Sequence, residues 1–270
     1  MSGSDDYLHG HADSVLRSHE WRTVENSAAY LAPLLTPGMD LLDVGCGPGT
    51  LTLGLATRVA PGRVVGVDRD PGVLDRAREH AAAAGDARTV FDVGDVGGLP
   101  LPDDCMDVVH AHQVLQHLRD PVAALAELSR VARPGGLVAV RDADYGAMTW
   151  YPDSEALQRW RQVYQQVARS LGAEPDAGRR LLAWARAAGL SDPTATASVW
   201  CFATAADRTW WGETWAQRAE HSGFAEQALA AGLASAADLA DMAAGWRAWA
   251  ADPDGWFLVP HGEIVARPSL

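Results

Sequence analysis

The chain has 270 residues, 48% of them hydrophobic, and a formal net charge of -13. This length and composition allow one large α/β domain with a sizeable core. The 22 basic residues are all arginine and are spread along the chain. That disfavours a nucleic-acid substrate, because a groove that follows a phosphate backbone needs clustered positive charge. No run of about 18 apolar residues occurs, so no membrane span is expected.

The cysteines and the first residues of the chain indicate a reducing, cytoplasmic setting. Cys46, Cys105 and Cys201 are far apart and odd in number, which argues against a disulfide framework and against a cysteine-based metal site. Residues 1–6 are polar and acidic, without the basic and apolar stretches of a secretory signal.

The first half of the chain predicts alternating helices and strands. Apolar residues at helical spacing predict two helical segments over residues 8–36, which end at Pro37-Gly38. Short apolar runs predict five strands, at residues 39–44, 63–67, 87–93, 106–111 and 137–141. Helices are predicted between them, at residues 51–59, 72–84 and 121–132. This alternation is typical of a parallel, doubly wound sheet.

The second half is predicted to be mainly helical and is rich in tryptophan. Residues 154–190 and 206–250 have helical patterns, the first with a break at Gly172–Pro175. Strands are predicted at residues 195–204 and within residues 255–267. Ten of the eleven tryptophans lie between Trp150 and Trp256. They predict aromatic cores between helices, and some of them also an apolar wall for a substrate under a helical cap.

A glycine-rich turn follows the first strand, with the sequence Asp43-Val44-Gly45-Cys46-Gly47-Pro48-Gly49. Glycines let the backbone take strained angles and approach a ligand closely, and the next helix points its first amides at the turn. A nucleotide-type ligand is therefore predicted at this edge of the sheet. A dinucleotide site would want glycine where Thr50 stands, and a phosphate loop would need a lysine, which the chain lacks. The Asp43 carboxylate suits a ligand that carries an ammonium group.

This turn resembles the first motif of the class I S-adenosylmethionine-dependent methyltransferases. Four further segments resemble the family's motifs in the same order, namely Gly66-Val67-Asp68, Gly94-Asp95-Val96, residues 107–118 and residues 130–136. The chain is thereby identified as a member of the family. Its small-molecule branch related to quinone-biosynthesis enzymes is the most similar.

The resemblance implies a Rossmann-like fold, with a seven-stranded, mostly parallel sheet in the order 3-2-1-4-5-7-6. It assigns residues 1–38 to N-terminal helices over the cofactor and residues 39–150 to the cofactor-binding core. Residues 151–270 complete the sheet and hold an inserted helical cap.

The resemblance also implies S-adenosylmethionine as the cofactor, without a metal. Asp68 would bind the ribose hydroxyls, Asp95 and Val96 the adenine, Ala111 the amino group, and Arg22 or Tyr7 the carboxylate. The complete predicted cofactor set is Tyr7, Arg22, Asp43, Gly45, Cys46, Gly47, Asp68, Arg69, Asp95, Val96, Ala111, His112 and Gln113.

The predicted catalytic residues are His117, His112 and Asp142, which follow strands four and five. Methyl transfer needs an acceptor held in line with the S–CH3 bond, and it needs a base only if the acceptor must lose a proton. His117 falls where related natural-product methyltransferases often carry histidine, in some as the base. His112 is predicted to contact cofactor or substrate, and Asp142 to orient a histidine or bind the acceptor.

The residues after strand four, His110-Ala111-His112-Gln113, differ from the Asn/Asp-Pro-Pro-Tyr of methyltransferases that act on DNA bases or protein glutamine. With the acidic charge, this favours a small-molecule acceptor such as a secondary metabolite or a quinone-like compound. Two other functions stay open: a non-methylating decarboxylase or cyclase that uses the sulfonium charge, and a non-catalytic binding module. The acceptor atom (O, N or C) and the choice between monomer and homodimer also stay open.

Overall fold

The computed structural model describes residues 20–269, in which one central β-sheet carries helices on both faces. The strands are β1 (Leu41–Val44), β2 (Val64–Asp68), β3 (Thr89–Val93), β4 (Met106–His112), β5 (Ala132–Ala143), β6 (Thr149–Tyr151), β7 (Ser191–Phe202) and β8 (Trp256–Arg267). The helices are α1 (Val24–Ser27), α2 (Thr50–Val59), α3 (Pro71–Ala83), α4 (Pro121–Val131), α5 (Glu155–Ser170), α6 (Leu181–Ala187), α7 (Ala205–His221), α8 (Gly223–Ala230) and α9 (Ala236–Ala251).

The strand order is β3-β2-β1-β4-β5-β8, with β7 on the far edge of β8. The first five strands pair in parallel, whereas β8 pairs antiparallel with both β5 and β7. The predicted order 3-2-1-4-5-7-6 is confirmed for the seven long strands. The sequence pattern missed the short β6, which pairs with the first residues of β8.

Parallel pairing brings the carboxyl ends of β1, β4 and β5 to one edge of the sheet. Asp43 on β1 lies opposite His110 on β4, and His112 lies opposite Arg141 on β5. Along the same row, Arg141 lies opposite Glu263 on β8. Polar side chains from four strands thus share one face of the sheet beside the glycine-rich turn.

Apolar side chains fill both sides of the sheet. One core joins α4 and α6 to β4 and β5, and the other joins the segment before β1 and α2 to the opposite face. The termini of the helices are set by local sequence, since Thr204 with Asp207 and Ser235 with Asp238 form capping boxes that begin α7 and α9.

A helical layer is built from α5 and from α7 to α9, the last three inserted between β7 and β8, in the part of the chain where the cap is predicted. Trp160, Trp215 and Trp246 are fully buried at its centre. The Trp160 ring meets the Trp215 ring edge-on at 4.5 Å and the Trp246 ring at 4.8 Å. Most of the tryptophans therefore form a solid core, in which edge-to-face ring pairs are favourable.

The predicted N-terminal helices are only partly tested. The first falls mainly on residues before 20, and Tyr7 also lies outside the described residues. The second is wrong in its length, because α1 is a single turn and a 3-10 turn follows at Ala32–Leu34. Pro33 lies within that turn, and proline donates no backbone hydrogen bond. Within residues 20–269, every helix is too short or too polar to traverse a lipid bilayer.

Candidate functional site

The glycine-rich turn takes backbone angles that favour glycine. Gly45, Gly47 and Gly49 have φ of 68°, 55° and 78°. A Cβ at Gly45 would lie 2.4 Å from Cγ2 of Val114, so the turn packs directly against the segment after β4. Cys46 is buried beside it, and burial raises the pKa of its thiol well above the ordinary value, which disfavours the reactive thiolate.

Asp68 at the end of β2 is anchored by both carboxylate oxygens. Oδ2 accepts a hydrogen bond from the backbone N–H of Gly47 at 3.0 Å, and Oδ1 accepts from that of Asp70 at 3.1 Å. Partial burial raises the pKa of this carboxyl above the ordinary value. Each oxygen keeps a lone pair for a further donor, so the carboxylate is placed to accept from two neighbouring hydroxyl groups.

The remaining residues predicted near the adenosine end follow β2 and β3. Arg69 is exposed beside Asp68. Asp95 is exposed, and its Oδ1 accepts from the N–H of Gly97 at 2.7 Å, which shapes a turn after β3. Val96 is half-buried and packs against the core of the sheet. These residues lie at the strand edge that the glycine turn also occupies.

Asp43 supports the turn from beneath. Its Oδ1 lies 2.7 Å from Nδ1 of His110, and its Oδ2 accepts from the Thr52 hydroxyl at 2.5 Å. All three side chains are buried. The carboxylate thus ties β1 to β4 and to α2, and its direct role toward a cofactor ammonium group stays a prediction.

His112 at the end of β4 is buried, and neither ring nitrogen has a hydrogen-bond partner among the described residues. The imidazole lines a small pocket with Arg22, Gly45 and Pro48, and its ring stacks on that of His261 at 6.1 Å. Burial, with Arg22 and Arg141 nearby, lowers the pKa of His112 well below the ordinary value. Buried polar atoms almost always have partners, so this neutral imidazole is suited to meet a bound ligand.

Arg22 and Gln113 meet beside this pocket. The Arg22 guanidinium donates to Oε1 of Gln113 at 2.6 Å, and Nε2 of Gln113 lies 2.8 Å from Nε2 of His261. Gln113 has φ of 55°, a left-handed conformation that is strained for glutamine. Such strain concentrates at functional sites.

Asp142 lies at the carboxyl end of β5 with no exposed surface. Its Oδ1 accepts from the backbone N–H of Gln116 at 3.0 Å, and the backbone N–H of Leu115 also favours the charged form, whereas Oδ2 makes no hydrogen bond of ordinary geometry among residues 20–269. Burial raises the pKa of this carboxyl to about 7. Burial, with Arg22 and Arg69 nearby, lowers the pKa of the half-buried His117 to about 3. Both groups are therefore largely uncharged between about pH 4 and pH 6, and the pKa of Asp142 is the one that lies near pH 7.

Ala111 is fully buried on β4, one residue before His112, so only its backbone is placed to meet a ligand. Sequence reasoning missed two residues at this site, His261 on β8 and Trp200 on β7. The Trp200 ring lies 4.3 Å from that of His261, and its Nε1 donates to the carbonyl of Asn26 at 2.7 Å. No local signal identifies either residue, because His261 and Trp200 are 148 and 174 positions away from the residues they contact, Gln113 and Asn26.

The arrangement fits S-adenosylmethionine, the cofactor that the sequence motifs imply. The Asp68 carboxylate is suited to bind ribose hydroxyls. Gly45 and Gly47 form a backbone turn without Cβ atoms. Beside the turn lie the Arg22 guanidinium and the His112 imidazole, whose nitrogens have no hydrogen-bond partner among the described residues. The carboxylate and ribose groups of the cofactor are thus matched by a guanidinium and a carboxylate on the described residues.

Sequence comparison relates the chain to known methyltransferases. A family model described as a methyltransferase domain matches residues 35–214. An uncharacterized methyltransferase of Schizosaccharomyces pombe is 35% identical over 274 residues, which cover 96% of this chain and 95% of that protein.

Solved structures share the fold. A phosphoethanolamine N-methyltransferase of Haemonchus contortus, in complex with S-adenosylhomocysteine, superposes with a TM-score of 0.60 at 19% identity, over 96% of this chain and 59% of its own. The cyclase SpnF superposes with a TM-score of 0.55 at 22% identity, over 100% of this chain and 86% of its own. At these identities, the likeness concerns the fold alone.

Proposed function

The chain belongs to the class I S-adenosylmethionine-dependent methyltransferases, and on that premise we propose that it methylates a largely apolar small molecule whose acceptor atom must lose a proton. It is an enzyme, and S-adenosylmethionine is its cofactor. The quinone-like or secondary-metabolite acceptors expected from the sequence are members of the proposed substrate class.

Different residues of this chain would bind different parts of the cofactor. Asp68 would hold the ribose hydroxyls, Asp95 and Val96 the adenine, and Arg22 the carboxylate, with the backbone of Gly45 and Gly47 beneath. When bound, S-adenosylmethionine supplies an electrophilic methyl group on a sulfonium. The protein therefore has to orient the acceptor, exclude water and take up a proton.

Aromatic rings beside the strand edge support an apolar, planar acceptor. The Trp21 ring lies 5.2 Å from that of Trp200, and the Trp200 ring lies 5.8 Å from that of His112. His112 is neutral because burial lowers its pKa. Indole rings beside an uncharged imidazole favour an aromatic or conjugated acceptor.

The buried Asp142 carboxyl is the observation that carries the proposal. One oxygen is held by the backbone of the turn after β4, the other makes no hydrogen bond of ordinary geometry among the described residues, and the pKa lies at about 7. A general base works best when its pKa is near the operating pH. Asp142 would therefore accept the proton of a phenolic, enolic or amine acceptor, and the low pKa of His117 makes that residue the weaker base.

The test is methyl transfer from labelled S-adenosylmethionine to a panel of phenols, quinols, enolisable diketones and aromatic amines, followed by S-adenosylhomocysteine release. With an accepted substrate, Asp142→Asn should lower kcat by about a hundredfold or more and leave the Kd for S-adenosylhomocysteine unchanged. His117→Asn is the matched control and should retain most of the activity.

The outcome can contradict the proposal in two ways. If Asp142→Asn keeps wild-type turnover and His117→Asn does not, the base is His117. If product forms from a substrate without release of S-adenosylhomocysteine, the chain performs a non-methylating reaction instead.

A further inference from the structure

A chain of hydrogen bonds runs from Arg22, beside the small pocket at the glycine turn, to the last strand of the sheet. It joins Arg22, before α1, to Gln113, after β4, then to His261 on β8, and ends at the carbonyl of Val259. The three contacts are 2.6, 2.8 and 2.9 Å long. Only Arg22 of these residues also lines the pocket beside the glycine turn.

The chemistry of the groups allows one arrangement of protons. A guanidinium only donates, so the Gln113 atom that faces Arg22 is the amide oxygen. The amide nitrogen then faces His261, and because it also only donates, Nε2 of His261 must carry no proton. A carbonyl only accepts, so Nδ1 of His261 carries the proton that binds Val259. Each of the three contacts thereby pairs one donor with one acceptor.

We infer that His261 is a positioning residue for cofactor binding, because it holds the Gln113 amide with its oxygen turned toward Arg22. The inference rests on the proposed contact between Arg22 and the carboxylate of the cofactor. Without an acceptor at position 261, the amide nitrogen of Gln113 loses its partner on β8, and the amide is held from one side only. The oxygen that orients the Arg22 guanidinium is then less firmly fixed beside the pocket.

The surroundings of His261 keep the imidazole in the neutral form that this role requires. The ring is 1% exposed and lies 4.3 Å from the ring of Trp200. The charged or titratable groups around it are Arg141 on β5, Arg22, and His112 on β4, with Glu263 on its own strand. Burial and the two guanidinium groups lower the pKa of His261 well below the ordinary value.

The backbone of Gln113 is also held in place. Its N–H donates to the carbonyl of Arg141 at 2.7 Å, and its φ is 55°. The side chain therefore leaves the sheet edge in a defined direction, between Arg22 and β8. A residue pinned at both its backbone and its amide has few alternative ways to meet Arg22.

The experiment measures binding of two probes by calorimetry. S-adenosylhomocysteine carries the amino-acid carboxylate, and methylthioadenosine has the same nucleoside and sulfur without it. His261→Phe keeps a ring but removes the acceptor, and should raise the Kd for S-adenosylhomocysteine by about tenfold with little change for methylthioadenosine. The exposed His221→Phe is the matched control and should change neither. In an Arg22→Met background, His261→Phe should add almost nothing.

The outcomes distinguish a failure of the proposed contact between Arg22 and the carboxylate from a failure of the inference about His261. Unchanged binding by Arg22→Met would overturn the proposed carboxylate contact. Weak binding by Arg22→Met together with wild-type binding by His261→Phe would overturn the inference alone, as would an equal loss for both probes. If His261→Phe does not fold, nitrogen NMR of the wild-type histidines decides: a proton on Nε2 of His261 at pH 7 contradicts the inference, and one on Nδ1 alone supports it.

Discussion

Replacing Asp142 by asparagine should destabilise the folded protein near pH 4 and stabilise it at pH 8. The wild-type carboxyl has a pKa of about 7 in the folded protein, because burial raises it from 3.8. In the unfolded chain the pKa returns to about 3.9. Between these values the folded protein binds a proton that the unfolded chain has lost, so the free energy of unfolding falls as the pH rises from about 4 to about 7.

The magnitude follows from the size of that shift. About 3 pKa units at about 1.4 kcal/mol each give about 4 kcal/mol in total, and about 3 kcal/mol of it develops between pH 5 and pH 8. Asparagine does not ionise, and its carbonyl oxygen can still accept from the N–H of Gln116. Its buried NH2 group would lack a partner among the described residues, at a cost of about 1–3 kcal/mol. Asp142→Asn should therefore be less stable than wild type near pH 4 and more stable at pH 8.

The assay is urea unfolding of both proteins, followed by tryptophan fluorescence, at several values between pH 5 and pH 8. Subtracting the free energy of unfolding of the variant from that of wild type at each pH cancels the pH dependence that all the other groups contribute. Asp92→Asn, at an exposed position on β3, is the control and should differ from wild type by a constant amount. A constant difference for Asp142→Asn as well would refute the raised pKa, and with it the main support for Asp142 as the base.

Three further outcomes are expected. Gly45→Ala should lower the free energy of unfolding by about 1–3 kcal/mol more than Gly85→Ala. Both glycines have φ of 68°, but only at Gly45 would a Cβ meet a neighbour. Equal losses in urea unfolding would show that this close approach is not the cause. Asp68→Ala should raise the Kd for S-adenosylhomocysteine by about a hundredfold, since two hydroxyl groups lose a charged acceptor, and wild-type affinity in calorimetry would exclude this residue from ribose binding. A thiol-reactive dye should label the exposed Cys201 within minutes and the buried Cys46 only on unfolding; fast labelling of Cys46 in peptide mapping would contradict its burial.

Local sequence predicted most of the elements and the cofactor turn. The strands and helices of residues 39–143 lie close to their expected places, since their apolar periodicity and glycine breaks act within a few neighbours. The order of the strands came from the resemblance and not from periodicity, because pairing is a long-range property. Local patterns also failed at α1, where one turn of helix stands in place of a longer segment, and at β6, whose three residues are too few to show alternation.

What the sequence by itself determined is the identity of the cofactor, because the glycine turn and the four further segments that resemble the family's motifs are each continuous in the chain. The tertiary structure alone decided how the site is held together. His261 meets Gln113 across 148 positions, and His110 meets Asp43 across 67, so no spacing rule connects them. The shifts in the pKa of Asp142 and His117, on which the proposed choice of base rests, also depend on folding, because burial and neighbouring charges come together only there.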